Sequence, residues 1–322
     1  MKTMTILLRR EMWEHKGMLL WTPAVVAAVM TLFAAAMLAF GFSGNGLEAS
    51  LTVNGQQSTL SHLIGNAYGQ ATVATMAACY MTAAAPVFLM LGTLVFFYCL
   101  GALYDERRDR SLLFWKSLPV SDAATVWSKA ALALAVAPAI TVVIGALTAL
   151  LMLLMLCAAL AVKGVNLFGY LLATPDFYLT PLRLAALLPV YALWALPAVG
   201  WLLMVSAWAR SKVFLWAVGA PLLGALLLLW ANRAFGLGWN LDWFMGDVVG
   251  RVLLGAMPGF WFLFDQAQYQ ALAQAGGPPL NSADVFLYSW ATLASLKLWA
   301  GAAAGVAMIF AAVWLRRWRE EG

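Results

Sequence analysis

The 322-residue sequence contains little charge, because only 10% of its residues are Asp, Glu, Lys or Arg, whereas 64% are hydrophobic. A soluble domain carries about 25% charged residues, which keep its surface solvated. A soluble core could not bury such a large apolar surface. The composition therefore excludes an ordinary soluble domain and predicts an integral membrane protein.

Cysteine and histidine are also scarce, which argues against several kinds of site. The three cysteines are too few, and too apolar in their surroundings, for a disulfide framework. The two histidines, His15 and His62, fall on opposite sides of the predicted membrane, and no cysteine pair has metal-ligand spacing. The sequence also lacks a G-x-x-x-x-G-K-[ST] loop for nucleotide hydrolysis and a G-x-S-x-G elbow for a nucleophilic serine. We therefore expect no metal, no cofactor and no catalytic residue in this chain.

Six apolar runs are long enough to cross about 30 Å of hydrocarbon. They comprise residues 18–42, 83–103, 130–162, 184–209, 213–231 and 293–315. Of the Asp, Glu, Lys, Arg and His residues, only Lys297 lies within them, and its long side chain can extend to the membrane surface. The pattern predicts an all-α integral membrane protein, organised as one transmembrane domain over residues 1–322.

The basic residues are distributed unevenly between the segments that join these runs. Fourteen of the nineteen lie in residues 1–17, 104–129, 210–212 and the C-terminal tail. Basic residues accumulate on the cytoplasmic side of membrane proteins, which accounts for the net charge of +5 without a nucleic-acid partner. We therefore expect both termini and residues 104–129 to be cytoplasmic.

The segments outside the six runs predict smaller elements. Residues 1–17 have apolar side chains at helical spacing, with Glu11 among the polar positions, and predict a helix in the headgroup plane; the alternative is a solvated tail. Residues 176–181 are expected to form a turn. Residues 232–292 contain apolar pieces too short to cross a membrane. They favour one or two outer re-entrant or interfacial helices, with a small folded outer cap as the alternative.

The most unusual segment is the connector at residues 104–129, YDERRDRSLLFWKSLPVSDAATVWSK. Six charged residues at 105–110 precede an apolar and aromatic stretch that can form about two helical turns before Pro119. Ser121 is a good N-cap for the helix that leads into the third run. Exposed Leu, Phe and Trp side chains need a cover, which is either the bilayer surface or a groove on another protein.

These residues resemble the first cytoplasmic loop of type-2 ATP-binding-cassette (ABC) exporter permeases. That loop commonly has an acidic-Arg pair, a Leu-rich coupling helix, a Leu-Pro-[Val/Ile]-Ser motif and a Lys about ten residues on. The matching residues are Glu106-Arg107, Leu112-Leu113-Phe114-Trp115, Leu118-Pro119-Val120-Ser121 and Lys129. The layout of six spans, an N-terminal interfacial helix and an outer re-entrant segment is also similar. Two departures are Arg110-Ser111 in place of the usual Gly-Thr, and Phe114-Trp115 where aliphatic residues are commoner.

The resemblance implies the permease subunit of an ATP-driven exporter in a bacterial cytoplasmic (inner) membrane, with a separate ATPase subunit and a second permease as partners. It implies that the following residues couple the permease to the ATPase: Glu106, Arg107, Arg110, Leu112, Leu113, Phe114, Trp115, Leu118 and Pro119. The apolar members would dock in a groove of the ATPase, and the charged members would pair with its polar rim.

An external energy source agrees with the predicted spans, which lack the carboxylates and histidines that ion-coupled carriers keep within the membrane. The apolar spans favour a hydrophobic or amphipathic substrate that is moved out of the cytoplasm. The main alternative is a non-transporting membrane scaffold or sensor subunit that binds another cytoplasmic partner. A membrane enzyme that acts on lipid would need a polar catalytic cluster, which the sequence does not supply.

Overall fold

The part of the chain that the computed structural model describes contains six helical segments that are long and apolar enough to cross a membrane. They are called spans 1 to 6 below and comprise Gly17–Phe40, Val73–Arg108, Asp122–Val162, Pro175–Trp208, Val213–Ala234 and Leu296–Trp318. The structure describes residues 2–43, 51–53, 56–58, 68–109, 121–162, 166–264, 270 and 281–318. Each apolar run of the sequence coincides with one span, which confirms an all-α, multi-pass membrane protein.

The regular elements follow one another along the chain with few long interruptions. The α-helices are α1 Lys2–Glu14, α2 Thr22–Ser43, α3 Tyr68–Cys79, α4 Ala85–Gly101, α5 Tyr104–Arg108, α6 Asp122–Ala131, α7 Ala137–Val162, α8 Phe168–Ala173, α9 Pro175–Ala186, α10 Leu188–Trp208, α11 Val213–Ala234, α12 Arg251–Leu254, α13 Trp261–Phe264, α14 Ser282–Ala291 and α15 Leu296–Trp318. Short π-helical turns lie at Gly17–Trp21, Leu132–Val136 and Phe244–Gly250, and 3-10 turns at Tyr80–Ala84 and Thr292–Ala294. Strands β1 Leu51–Val53 and β2 Gln56–Ser58 pair antiparallel, with Thr52 opposite Gln57.

Irregular turns within spans 1 to 3 coincide with prolines. The π-helical turns at Gly17–Trp21 and Leu132–Val136 precede Pro23 and Pro138, and the 3-10 turn at Tyr80–Ala84 precedes Pro86. Proline has no N–H to close the preceding helical turn, so the backbone there adopts a wider or a tighter hydrogen-bond pattern. The prolines therefore mark the points at which the regular α-helical pattern is interrupted.

The core is centred on span 4, whose helix α10 makes its most extensive contact with α15 of span 6. Gly200 and Gly305 face each other there, and a Cβ atom on Gly305 would lie 2.6 Å from the backbone of Leu196. Small residues allow the backbones of two membrane helices to approach closely and gain dispersion energy. Spans 1 and 5 lie at the periphery and leave about half of their side chains exposed and few of them buried.

The bundle has two chemically different ends. At the charged end, ion pairs join α1, α5, α6 and the last turns of α15. The opposite end contains α3, α9, residues 244–264 and α14. The prediction of a turn at residues 176–181 was wrong, because these residues are helical within α9. Pro175 favours a helix there, because its fixed φ suits the first turn. Backbone N–H groups of the first turn have no partner within the helix, so the N–H that proline lacks is not missed.

Candidate functional site

A buried lysine lies at the centre of the charged end, beside the connector. Lys129 is only 2% exposed, and its Nζ atom lies 2.9 Å from Oε1 of Glu11 and 2.9 Å from Oε1 of Glu106. Glu11 belongs to α1 and Glu106 to the last helix of span 2, whereas Lys129 lies in α6 at the beginning of span 3. One ammonium group therefore joins three elements.

The ion pairs continue from Glu106 to the C-terminal end of span 6. Nη1 of Arg316 donates to Oε2 of Glu106 at 2.7 Å, and Nε of Arg316 donates to Oδ1 of Asp122 at 3.0 Å. Asp122 is in the first turn of α6, which Ser121 caps by accepting a hydrogen bond from the backbone N–H of Ala124 at 3.2 Å. The prediction that Ser121 is an N-cap is thus confirmed. Glu11, Glu106, Asp122, Lys129 and Arg316 are called the charge cluster below.

The charge cluster contains three carboxylates and two cations in a largely apolar setting. Glu11 is only 1% exposed, and it also accepts a hydrogen bond from the Tyr98 hydroxyl at 3.2 Å. Burying charges has a large desolvation cost, which mutual pairing offsets only while every partner is present. Removal of one member should therefore destabilise the helices that the others join.

His15 borders the cluster. Its Nε2 atom lies 4.0 Å from Oε2 of Glu11, and its ring meets the ring of Tyr98 edge to face with centroids 5.0 Å apart. Burial lowers the pKa of His15 below its ordinary value, although the Glu11 carboxylate opposes this shift. The neutral imidazole is therefore favoured at neutral pH, and Lys129 remains the cation that balances Glu11.

A second anchor joins the end of span 2 to the end of span 4. The Arg107 guanidinium donates hydrogen bonds to the backbone carbonyls of Ser206 and Ala209, the latter at 2.9 Å. The Ser206 hydroxyl in turn accepts hydrogen bonds from the backbone N–H groups of Leu103 and Tyr104 at 3.1 and 3.0 Å. Ala209 is the C-cap of α10, where carbonyl groups lack partners within the helix and favour a cation.

The structure describes two of the nine residues that the family resemblance assigned to ATPase coupling. Glu106 and Arg107 were expected to pair with the rim of a partner, but their side chains bind Lys129, Arg316 and span 4 of the same chain. The other assigned residues lie outside the described part of the chain: Arg110, Leu112, Leu113, Phe114, Trp115, Leu118 and Pro119. Lys129, which matched the family motif without an assigned role, is the centre of the cluster.

The prediction that Glu11 lies on the polar side of α1 was wrong, because its side chain is buried. Glu11 follows Leu7 by four residues and Leu8 by three, so all three lie on one side of the helix, and Leu7 is buried as well. That spacing was the available signal for a buried carboxylate. No comparable local signal identifies Arg316, because its run of arginines is typical of a cytoplasmic tail.

The arrangement joins elements of the bundle and leaves little capacity for a metal ion. Among the side chains that the structure describes, no group of three or more His, Cys, Asp and Glu is placed to hold a metal. In the cluster itself each of the three carboxylates has a cationic partner within 3.0 Å.

Comparisons with known proteins do not assign the chain to a family. No protein-family model matches the sequence, and neither a curated protein nor a solved structure matches it.

Proposed function

We propose that this chain is the membrane-spanning permease subunit of an ATP-driven exporter of the type-2 ABC class. It would work with a second permease and a separate ATPase subunit, in a bacterial inner membrane with both termini in the cytoplasm. Its substrate would be hydrophobic or amphipathic. Six spans and a charged connector support this proposal together with the motif resemblance of residues 106–129.

The observation that carries the proposal is the ion pair between Glu106 and Lys129. These residues lie on either side of the predicted coupling helix at 112–118, and their side chains meet at 2.9 Å. A force applied to the coupling helix would therefore act on spans 2 and 3 together. Arg316 extends the connection to span 6, and Arg107 extends it to span 4.

This geometry supports a division of roles within the connector. The aromatic and leucine side chains at 112–118 would contact the ATPase, whereas Glu106, Arg107 and Lys129 would hold the two ends of the connector against the bundle. Closure of the ATPases on ATP would tilt spans 2 and 3 and shift the balance between inward-facing and outward-facing states. Glu106 and Arg107 would then be positioning residues, since their partners lie in the same chain.

The test is to replace Trp115 and Leu118 by Ala in the full chain co-expressed with a candidate ATPase. The double variant is expected to insert normally but to lose substrate-dependent stimulation of ATP hydrolysis in reconstituted vesicles. The matched control is Leu227→Ala with Trp230→Ala, which removes the same residue types at the same spacing from exposed positions of span 5.

Co-purification gives the decisive outcome. An ATPase with a phosphate-binding loop that co-purifies with the wild-type chain, and is lost from the Trp115/Leu118 variant, supports the proposal. A wild-type chain that retains a different cytoplasmic protein, and no ATPase, would favour the scaffold or sensor alternative.

A further inference from the structure

An apolar cavity of about 450 Å³ lies toward the opposite end of the bundle from the charge cluster. Spans 2, 3 and 4 form its walls together with residues 258–261 and α14. Most of its lining is carbon, and the large side chains that contribute are Met81, Phe88, Leu91, Pro138, Tyr191 and Trp261. Its size falls within the range of about 300–1,000 Å³ that is usual for small-molecule sites.

The polar side chains that line the cavity are bonded within the protein. The hydroxyl of Thr82 donates to the carbonyl of Cys79 at 2.7 Å, and that of Tyr191 donates to the carbonyl of Ala256 at 2.9 Å. The indole N–H of Trp261 donates to the Ser289 hydroxyl at 3.0 Å. A buried water needs two to four polar partners, so the cavity suits hydrocarbon better than water.

The cavity reaches the outer surface of the bundle within the membrane-spanning region. Leu89 and Thr82 belong to its lining, and both are exposed. The lining along span 2 runs from Ala78 to Leu91, which corresponds to about 20 Å of helix and is comparable to the roughly 15 Å depth of one leaflet. An apolar opening at this depth faces lipid chains. A chain that enters the cavity gains the dispersion contacts that an empty volume would forfeit.

A pair of opposite charges lies at the polar edge of this cavity. Ser282, a lining residue, accepts a hydrogen bond from Nη1 of Arg183 at 3.1 Å, and the same Nη1 atom lies 2.7 Å from Oδ1 of Asp176. Both charged side chains are partly exposed. Span 4 has 34 residues and is longer than the hydrocarbon core requires, and Asp176 and Arg183 precede its apolar run 184–209, so the pair lies at the depth expected for lipid headgroups. A guanidinium beside a carboxylate complements a headgroup that carries both a phosphate and an ammonium.

We infer that this cavity binds an acyl chain of a zwitterionic phospholipid, with the headgroup against Asp176 and Arg183. A chain seated there contacts spans 2 to 4 and Trp261 together, so it completes the packing between the bundle and residues 258–261. The site does not depend on the proposed transport function, and an experiment on lipid binding needs no ATPase.

The experiment uses the full chain in lipid nanodiscs that contain phosphatidylethanolamine with a photoactivatable group on its acyl chain. After irradiation, crosslinks are mapped by peptide mass spectrometry. They are expected to be enriched on the lining of spans 2 and 3 relative to the exposed face of span 5, and to be lost when unmodified phosphatidylethanolamine is added in excess.

Three variants sharpen the result. Ala85→Trp places an indole in the lining and should abolish the enrichment, whereas Leu223→Trp adds the same ring to an exposed position of span 5 and should preserve it. Asp176→Asn should remove a preference for phosphatidylethanolamine over phosphatidylglycerol, because the Asp176 carboxylate complements the ammonium that only the former carries, while the acyl-chain crosslinks remain. The competition experiment requires no variant, so the inference stays testable if Ala85→Trp fails to fold.

Three results would overturn the inference in whole or in part. Crosslinks spread evenly over the exposed faces of the spans would show ordinary lipid contact and no site. Crosslinks from the lining to a second copy of the chain would assign the cavity to a protein interface. Equal use of phosphatidylethanolamine and phosphatidylglycerol by the wild-type chain would exclude the headgroup assignment.

Discussion

Lys129 at the charged end and Arg251 at the opposite end are equally buried, each 2% exposed, but their charges are stabilised in different ways. Lys129 contacts two carboxylates at 2.9 Å. Arg251 donates to the carbonyls of Lys297 and Leu298 at 2.6 and 3.2 Å, and its guanidinium lies 4.3 Å from the ring centroid of Trp194. Among the residues that the structure describes, none has a carboxylate within salt-bridge distance of Arg251.

The difference follows from the two side chains. An ammonium is a compact and strongly hydrated charge, which needs nearby anions when it is buried. A guanidinium is planar and weakly hydrated, so an aromatic face and carbonyl oxygens can accommodate it. Burial nevertheless lowers the pKa of Arg251 to about 10, and the more distant Asp247 opposes this shift. Arg251 therefore stays charged at neutral pH without an ionic partner.

The two ends also differ in what they join. The charge cluster connects α1 with spans 2, 3 and 6, and it depends on several charges that were brought together from distant parts of the chain. Arg251 connects residues 251–254 with the first turn of span 6 and with the Trp194 ring of span 4. A perturbation of the cluster should consequently affect the whole bundle, and a perturbation of Arg251 should remain local.

The largest effect is expected for Lys129→Met, which leaves Glu11 and Glu106 buried without their shared cation. Removing one partner of a buried ion pair typically costs about 3–5 kcal/mol. The matched control is Lys297→Met, since Lys297 pairs with Asp247 at 3.0 Å but is 60% exposed, and exposed pairs contribute at most about 1 kcal/mol. Thermal unfolding of both variants in detergent measures the difference, and equal losses would show that burial of the cluster is not what makes it stabilising.

An intermediate effect is expected for Gly301→Ala at the opposite end. A Cβ atom there would lie 2.1 Å from Nη1 of Arg251, so the guanidinium must leave its position above Trp194. Overpacking of this kind typically costs about 1–3 kcal/mol. The control Gly224→Ala lies in α11 with no atom within 4 Å of the added Cβ, and it should be neutral or slightly stabilising. Unfolding midpoints of the two variants should differ, and identical midpoints would contradict the proposed packing of Arg251.

The smallest effect is expected for His15→Gln, which should change how the stability of the fold depends on pH. Because burial lowers the pKa of His15 in the folded state, the unfolded chain binds more protons around pH 6, and the folded state loses stability as the pH falls below about 6.5. His15→Gln should remove this part of the pH dependence. Unfolding midpoints between pH 5 and 8 provide the measurement, and an unchanged slope in the variant would show that His15 does not titrate with folding.

Much of the fold could be predicted because its signals are local. Apolar runs of spanning length located all six spans, and the Ser121 hydroxyl located the start of α6. The turn expected at 176–181 failed because Pro175 and Asp176 also favour a first helical turn, so local chemistry permitted two outcomes there. The candidate site was predicted only in part. The motif singled out Glu106 and Lys129, but it did not predict that the two side chains form an ion pair.

The sequence by itself determined that this is a multi-pass membrane protein, where its six apolar runs of spanning length lie and where its unusual connector lies. Hydropathy and capping depend on neighbouring residues and can be read along the chain. Only the tertiary structure decided that Glu11 pairs with Lys129 across 118 positions and that Glu106 pairs with Arg316 across 210 positions. A charged residue has the same sequence signature whether it faces solvent or a buried partner, and helix packing alone brings such partners together.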